Sequence, residues 1–216
     1  MNNAESTIQR ADLAAPALAG VEVHGMNRSA FILRGALAAG AVYGLGTVGP
    51  FVRQALAQGE DGDIEILNFA LTLEYLEAAF YDTALKDVKL SGEVKSLAEL
   101  LASDEAEHVT ALTATIEELG GKPVAAPKVA FPLKDEAGFL ELAQTFEDTG
   151  VSAYNGAAPA IQSKELLATA GGIVQVEARH AAAIRLQNGE LPAPLAFDET
   201  LDEQEVLKAV QPFIKS

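Results

Sequence analysis

From residue 63 to residue 188, apolar positions return every three or four residues, the period of an α-helix with one buried face. The pattern predicts four long helices: A over about 63–86, B over about 92–119, C over about 136–156 and D over about 164–188. Asp61 or Asp63 is placed to cap helix A, Ser91 to cap B and Ser163 to cap D. Gly120-Gly121 and Gly189 close B and D. A Pro-rich turn, LPAPLAF, precedes a short fifth helix, E, at about 203–214. No run alternates with a period of two between hairpin signals, so no strands are expected.

The A–B and C–D links are short, which makes two antiparallel pairs. Between them, GGKPVAAPKVAFPLKD (120–135) carries three prolines and reads as a long crossover. The expected fold is all-α: a four-helix bundle with one long B–C connection and a short C-terminal helix.

The first 57 residues break this pattern. Residues 35–52, GALAAGAVYGLGTVGPFV, carry no charge; Arg28 and Arg34 precede them, and Ala55-Leu56-Ala57 follows as a small-x-small cleavage pattern. Together these predict an export peptide removed before Gln58. The stretch NRSAFILRGALAAGA resembles a twin-arginine signal, but Ser29 follows Arg28, so the arginine pair itself is missing. Met26 is an alternative start. The competing reading is an uncleaved membrane anchor, which a run this short and rich in glycine supports poorly. The expectation is therefore an export signal over 1–57 and one domain over 58–216. The protein is expected in the periplasm or secreted, with no stable membrane insertion after processing.

Charge narrows the partners. The whole chain carries −16; residues 58–216 hold 11 Lys/Arg against 28 Asp/Glu, net −17. Nucleic acid needs basic residues to displace its counterions, so it is excluded as a partner, and an anionic membrane surface is disfavoured. There is no Cys, hence no disulfide, no zinc–thiolate site and no thiol nucleophile.

The chemistry lies on the apolar faces. Helix B's stripe runs Val94, Leu97, Leu101, Glu105, His108, Leu112, Leu119; helix D's runs Leu166, Ala170, Ile173, Glu177, His180, Ile184. Both histidines beyond residue 57 thus follow a glutamate by three residues, in line with aliphatic side chains. Asp104 and Glu107 point off the stripe and are expected to face solvent. Helix A aligns Leu67, Leu71, Glu74, Ala78, Tyr81 and Leu85; helix C aligns Leu140, Ala143, Glu147, Val151 and Tyr154. In each, a tyrosine follows the glutamate by two turns. Glu74 to Glu105 and Glu147 to Glu177 have nearly the same spacing, as in an internal duplication.

A carboxylate inside a bundle is costly unless neutralised or bound to metal. Four carboxylates balance two divalent cations, and oxygen-rich ligation with one His per ion suits iron or manganese better than structural zinc. The alternative for each pair is an exposed ion pair of small worth, and for Glu74 and Glu147 a surface acid. Glu77, about sixty degrees from Glu74 around helix A, is either an extra ligand or a rim carboxylate; Asp148 is read as rim. Tyr81 and Tyr154 are either core tyrosines or candidate catalytic residues, as hydrogen-bond partners of the ligand carboxylates or as one-electron donors. Gly171-Gly172 is read as allowing close helix approach, with a local kink as the alternative.

At these residues the chain resembles the ferritin-like superfamily, and in particular the exported bacterial ferritin-like domain proteins related to desiccation-related proteins. The stretches ILNFALTLEYLEAAFY, DEAEHV, FEDTGVSAYNGAAPAI and VEARHAAAIR carry the resemblance. It implies carboxylate ligands at Glu74, Glu105, Glu147 and Glu177, two of them bridging, with His108 and His180 as terminal ligands. It implies two iron ions, or manganese, and redox chemistry on O2, peroxide or Fe2+ in iron handling or oxidative-stress defence. The rival reading is a stress-protective protein with a vestigial or storage-only site. Without Cys there is no iron–thiolate relay, so reducing electrons would come from an external donor. A homo-oligomer is compatible with the sequence.

Overall fold

The computed structural model describes residues 60–215; the export reading of 1–57 lies outside them. Five α-helices follow in order: α1 Glu60–Asp87, α2 Gly92–Glu118, α3 Glu136–Ala157, α4 Lys164–Gln187 and α5 Glu203–Val210. Short 3-10 turns, Ala158–Ala160 and Gln211–Phe213, follow α3 and α5.

The helix ends differ from expectation for local reasons. α1 begins at Glu60, so Asp63 lies inside it rather than capping it. The buried Asp63 carboxylate instead accepts the backbone N–H groups of Gln162 (2.7 Å) and Ser163 (2.9 Å), tying the first turn of α1 to the start of α4. Ser91 stands at the N-cap of α2, but its side chain makes no capping bond. Its backbone N–H donates to Glu136 at the start of α3. Ser163 caps α4 through the N–H of Leu166, and Asp202 with Glu205 forms a capping box on α5. α5 stops at Val210, short of the expected 214, because Pro212 has no N–H to continue it. The chain then makes an isolated antiparallel bridge, Val129 with Ile214, against the crossover. This is a single residue pair rather than a strand.

Side-chain contacts fix the helix directions. Tyr81 meets Glu147 and Tyr154 meets Glu74, so α1 and α3 run antiparallel. Asp104 meets His180 and His108 meets Glu177, so α2 and α4 do too. With short links inside each hairpin, α2 and α3 are then parallel. Only a link that travels the length of the bundle can join them. A helix of 27 residues is about 40 Å long, and the extended segment from Leu119 to Asp135 has that reach. Asn68 of α1 holds it down, accepting from the N–H of Val124 (2.8 Å) and donating to the carbonyl of Lys122 (3.3 Å).

The expected stripes are largely the buried faces. The exception is Leu119, 40% exposed, because α2 ends one residue before it. A cluster of Phe80, Phe131, Phe139, Phe146 and Phe213 locks the crossover and the C-terminus onto the bundle, with ring centroids 4.9–6.2 Å apart in the contacting pairs. Val206 and Val210 of α5 complete that core. Gly156 of α3 is required by close approach: a Cβ there would lie 2.0 Å from the carbonyl oxygen of Leu201. Gly171 and Gly172 have no such role, since a Cβ on either would meet nothing within 4 Å. The expectation of close helix packing there is wrong; the pair faces away from the neighbouring helices.

Candidate metal centre

All four long helices bring their mid-length glutamates to one place. Glu74, Glu105, Glu147 and Glu177 are each 0% exposed, and His108 and His180 are 9% and 4% exposed. Donor atoms of Glu74, Glu105, His108 and Glu177 lie within 4.8 Å of one another, and so do those of Glu105, Glu147, Glu177 and His180. Glu105 and Glu177 belong to both groups. Their two oxygens are divided between the histidines. Glu105 sets Oε2 3.1 Å from His108 Nδ1 and Oε1 3.0 Å from His180 Nδ1. Glu177 sets Oε1 2.9 Å from His108 Nδ1 and Oε2 3.9 Å from His180 Nδ1. Glu74 and Glu147 each serve one side, with Oε2 at 3.2 Å from His108 and 3.5 Å from His180 respectively.

The tyrosines cross between hairpins. Tyr81 of α1 donates to Glu147 Oε1, and Tyr154 of α3 donates to Glu74 Oε1. Each leaves the other carboxylate oxygen facing the centre. Six buried polar atoms there make no well-aligned hydrogen bond, although the imidazole nitrogens stand 2.9–3.9 Å from the carboxylate oxygens: Glu74 Oε2, Glu105 Oε1, Glu147 Oε2, both oxygens of Glu177 and His180 Nδ1. Buried polar groups are ordinarily satisfied, so six converging orphans form a donor set for cations. Four carboxylates and two imidazoles could hold two divalent ions with no net charge. The oxygen-rich set fits iron or manganese.

The protonation pattern reflects the crowding. Burial raises Glu74 to about 7 against the opposing hydrogen bond to His108. Burial likewise raises Glu147 and lifts Glu177 well above the carboxylate range. Burial also works against Glu105, but hydrogen bonds from His108 and His180 outweigh it and bring it to about 2. Burial alone would lower the histidines. Their carboxylate partners reverse this and lift His108 to about 12 and His180 to about 11. Burial, then the facing carboxylate charge, raises both tyrosines well above their usual range. Protons on the two imidazoles offset part of the crowded carboxylate charge.

Three further carboxylates are placed by the structure. Asp104, expected to face solvent, is only 34% exposed at its side chain, and its Oδ2 lies 3.1 Å from His180 Nε2. A helical wheel puts Asp104 off the stripe of its own helix; its partner is 76 residues away on α4, so no pattern within helix B could reveal it. Glu77 is buried at 3% exposure, not on the rim. It lies outside both donor groups, and its Oε1 is 3.1 Å from where a Cβ on Gly150 would stand. Burial and then the charge of Glu177 raise it well above the carboxylate range. Asp148 forms a half-buried ion pair with Arg185 at 2.6 Å.

Known proteins agree with this architecture. The ferritin-like domain family matches residues 62–190. A ferritin-like, diiron-carboxylate protein from Bacillus anthracis superposes with a TM-score of 0.54 at 23% identity, covering 64% of this chain and 98% of its own. A conserved hypothetical protein from Mycobacterium tuberculosis superposes with a TM-score of 0.53 at 15% identity, covering 58% and 96%. At these identities the superpositions speak for the fold. No curated protein matches the sequence. With more than half of its length matched, and with four helices converging on one carboxylate–imidazole cluster, this chain belongs to the ferritin-like domain family.

Proposed function

We propose that the protein holds two metal ions, iron in the first place and manganese as the alternative, and carries out redox chemistry on O2, peroxide or Fe2+. The observation that carries this reading is the division of Glu105 and Glu177, each with one oxygen toward each histidine. A carboxylate so placed can bridge two ions. Glu74 with His108 would complete one position, and Glu147 with His180 the other. When bound, such a pair of ions supplies one-electron steps at two adjacent centres.

The chain's own residues do the rest. Tyr154 and Tyr81 fix one oxygen of each terminal carboxylate and keep the other turned inward. The aliphatic layers above and below, Leu71 and Leu112 on one side and Leu101 and Ile184 on the other, keep bulk water out. A small, partly open apolar crevice is lined by Leu67, Ala70, Leu112, Ala170 and Tyr154, the tyrosine whose hydroxyl donates to Glu74. Its lining suits a small uncharged oxidant. Electrons for any reductive cycle come from an external donor, since the chain has no Cys.

The setting is proposed from the sequence: export directed by residues 1–57, with the bundle working in the periplasm or outside the cell. No helix among the described residues is long and apolar enough to cross a membrane. Fractionation of cells expressing the full chain, followed by N-terminal sequencing, tests this; a cytoplasmic, unprocessed product would overturn it.

Elemental analysis of residues 58–216, produced with both iron and manganese available, tests the centre. About two ions per chain are expected, falling in the Glu105→Ala and His180→Ala variants. Full metal content in both variants, or none in the wild type after anaerobic Fe2+ loading, would overturn the reading and favour a protective protein with a vestigial site.

A further inference from the structure

The two halves of the centre are related residue by residue. Glu74, Tyr81, Glu105 and His108 in the first hairpin correspond to Glu147, Tyr154, Glu177 and His180 in the second. The buried frame repeats as well: Val94, Ala98, Leu101 and Leu112 correspond to Leu166, Ala170, Ile173 and Ile184. Against that repeat, one substitution changes what surrounds a histidine. The residue before Glu105 is Asp104; the residue before Glu177 is Val176.

The consequence falls on the opposite helix. Asp104 lies 3.1 Å from His180 Nε2, the nitrogen that points away from the centre, while Nδ1 points in. Its carboxylate braces the ring's orientation and, once the ring gives up a proton to bind a cation, would hold the remaining proton on Nε2 and leave Nδ1 as the donor. In the same register the counterpart of Asp104 is Val176, whose side chain can accept no hydrogen bond. The histidines also differ in exposure, 5% for the His180 side chain and 11% for that of His108.

We infer that the two metal positions are inequivalent: the His180–Glu147 position holds a resident ion, and the His108–Glu74 position holds the ion that exchanges. This rests on the reading of the cluster as a two-metal centre and goes past it by assigning order and lability to each half. Asp104 is a positioning residue that acts through His180. Such an outer partner typically changes metal affinity by about 10–100-fold, enough to separate the two positions into distinct steps.

Stepwise anaerobic titration with Mn2+ tests this, followed by calorimetry and by electron paramagnetic resonance, which distinguishes a lone ion from a coupled pair. The wild type should take up one ion as an isolated Mn2+ signal before the coupled signal appears. His180→Ala should lose the tight step, and His108→Ala should keep it. Asp104→Ala should weaken the first step by roughly 10–100-fold and merge it with the second. Asp104→Asn, which retains an acceptor oxygen, should recover part of the separation. Val176→Asp should tighten the second step. Two equal steps in the wild type, a tight step that survives His180→Ala, or an Asp104→Ala titration like the wild type's would overturn the inference while leaving the two-metal centre intact. No Mn2+ or Fe2+ uptake by the wild type would instead overturn the centre itself.

Discussion

Tyr81 on α1 donates its phenolic hydrogen to Glu147 on α3, joining the two hairpins through a buried carboxylate at the middle of the bundle. Both groups are 0% exposed, so neither has water to turn to. Tyr81→Phe keeps the ring and its packing against Phe80 and Phe139, and strips one oxygen of Glu147 of its donor. The metal-free variant should lose about 1–3 kcal/mol of stability, measured by urea unfolding under chelation. A smaller loss in the metal-loaded protein would show that cations take over part of the tyrosine's work.

Stability of the metal-free protein should fall as the solution becomes more basic. Glu74 moves from 4.5 unfolded to about 7 folded, and His108 from 6.5 to about 12. Both bind more protons folded than unfolded, so their contribution is present at acid pH and drains away above 4.5 and 6.5 respectively. Glu105, lowered to about 2, acts the other way only between 2 and 4.5. Metal ions compete with these protons, so loading should strengthen as pH rises. Thermal melts at pH 5 and pH 8 should show a lower Tm at pH 8 in chelator and a wider gap between loaded and chelated protein there.

Glu77 gives that trend a single-residue test. It is buried among four other glutamates and carries a raised pKa for that reason. Glu77→Gln removes the ionisation and keeps the shape. The metal-free variant should be nearly as stable as wild type at pH 4 and increasingly more stable than it as pH rises past the unfolded value of 4.5. A constant offset across that range would show that Glu77 titrates normally.

Gly156 should tolerate no side chain. A methyl group there would meet a backbone carbonyl at 2.0 Å, and Leu201 is itself held by its N–H to the carbonyl of Ser152 at 3.1 Å. Gly156→Ala should cost about 1–3 kcal/mol or more by prising the segment before α5 off the bundle. Gly171→Ala, in open space inside α4, should instead gain several tenths of a kcal/mol to about 1 kcal/mol from helix propensity. Paired urea titrations of the two variants decide this.

Helices and centre were legible to different depths. Apolar periodicity alone places all four long helices within a few residues, because each buries one continuous face. The face argument likewise finds Glu74, Glu105, Glu147 and Glu177, since a carboxylate in an aliphatic stripe stands out within its own helix. Features that depend on a second helix were lost. Asp104 looks like a solvent residue until α4 lies beside it, and Asp63 looks like the cap of its own helix until the start of α4 supplies two N–H groups. Gly171-Gly172 is a different case: the pair lies beside the stripe of Ala170, Ile173 and Glu177 rather than on it, and its open surroundings follow from that.

The residue-by-residue correspondence between hairpins has a further meaning for how such a molecule can change. Two identical hairpins associating about a two-fold axis would be obliged to carry the same residue at every paired place. Altering one ligand environment would alter both. The crossover, by threading both halves on one strand, lifts that obligation. Asp104 opposite Val176, and Glu77 opposite Gly150, are places where one half already differs from the other. Seventeen or so residues of extended chain across the outside of the bundle are what allow its interior to become specialised one side at a time.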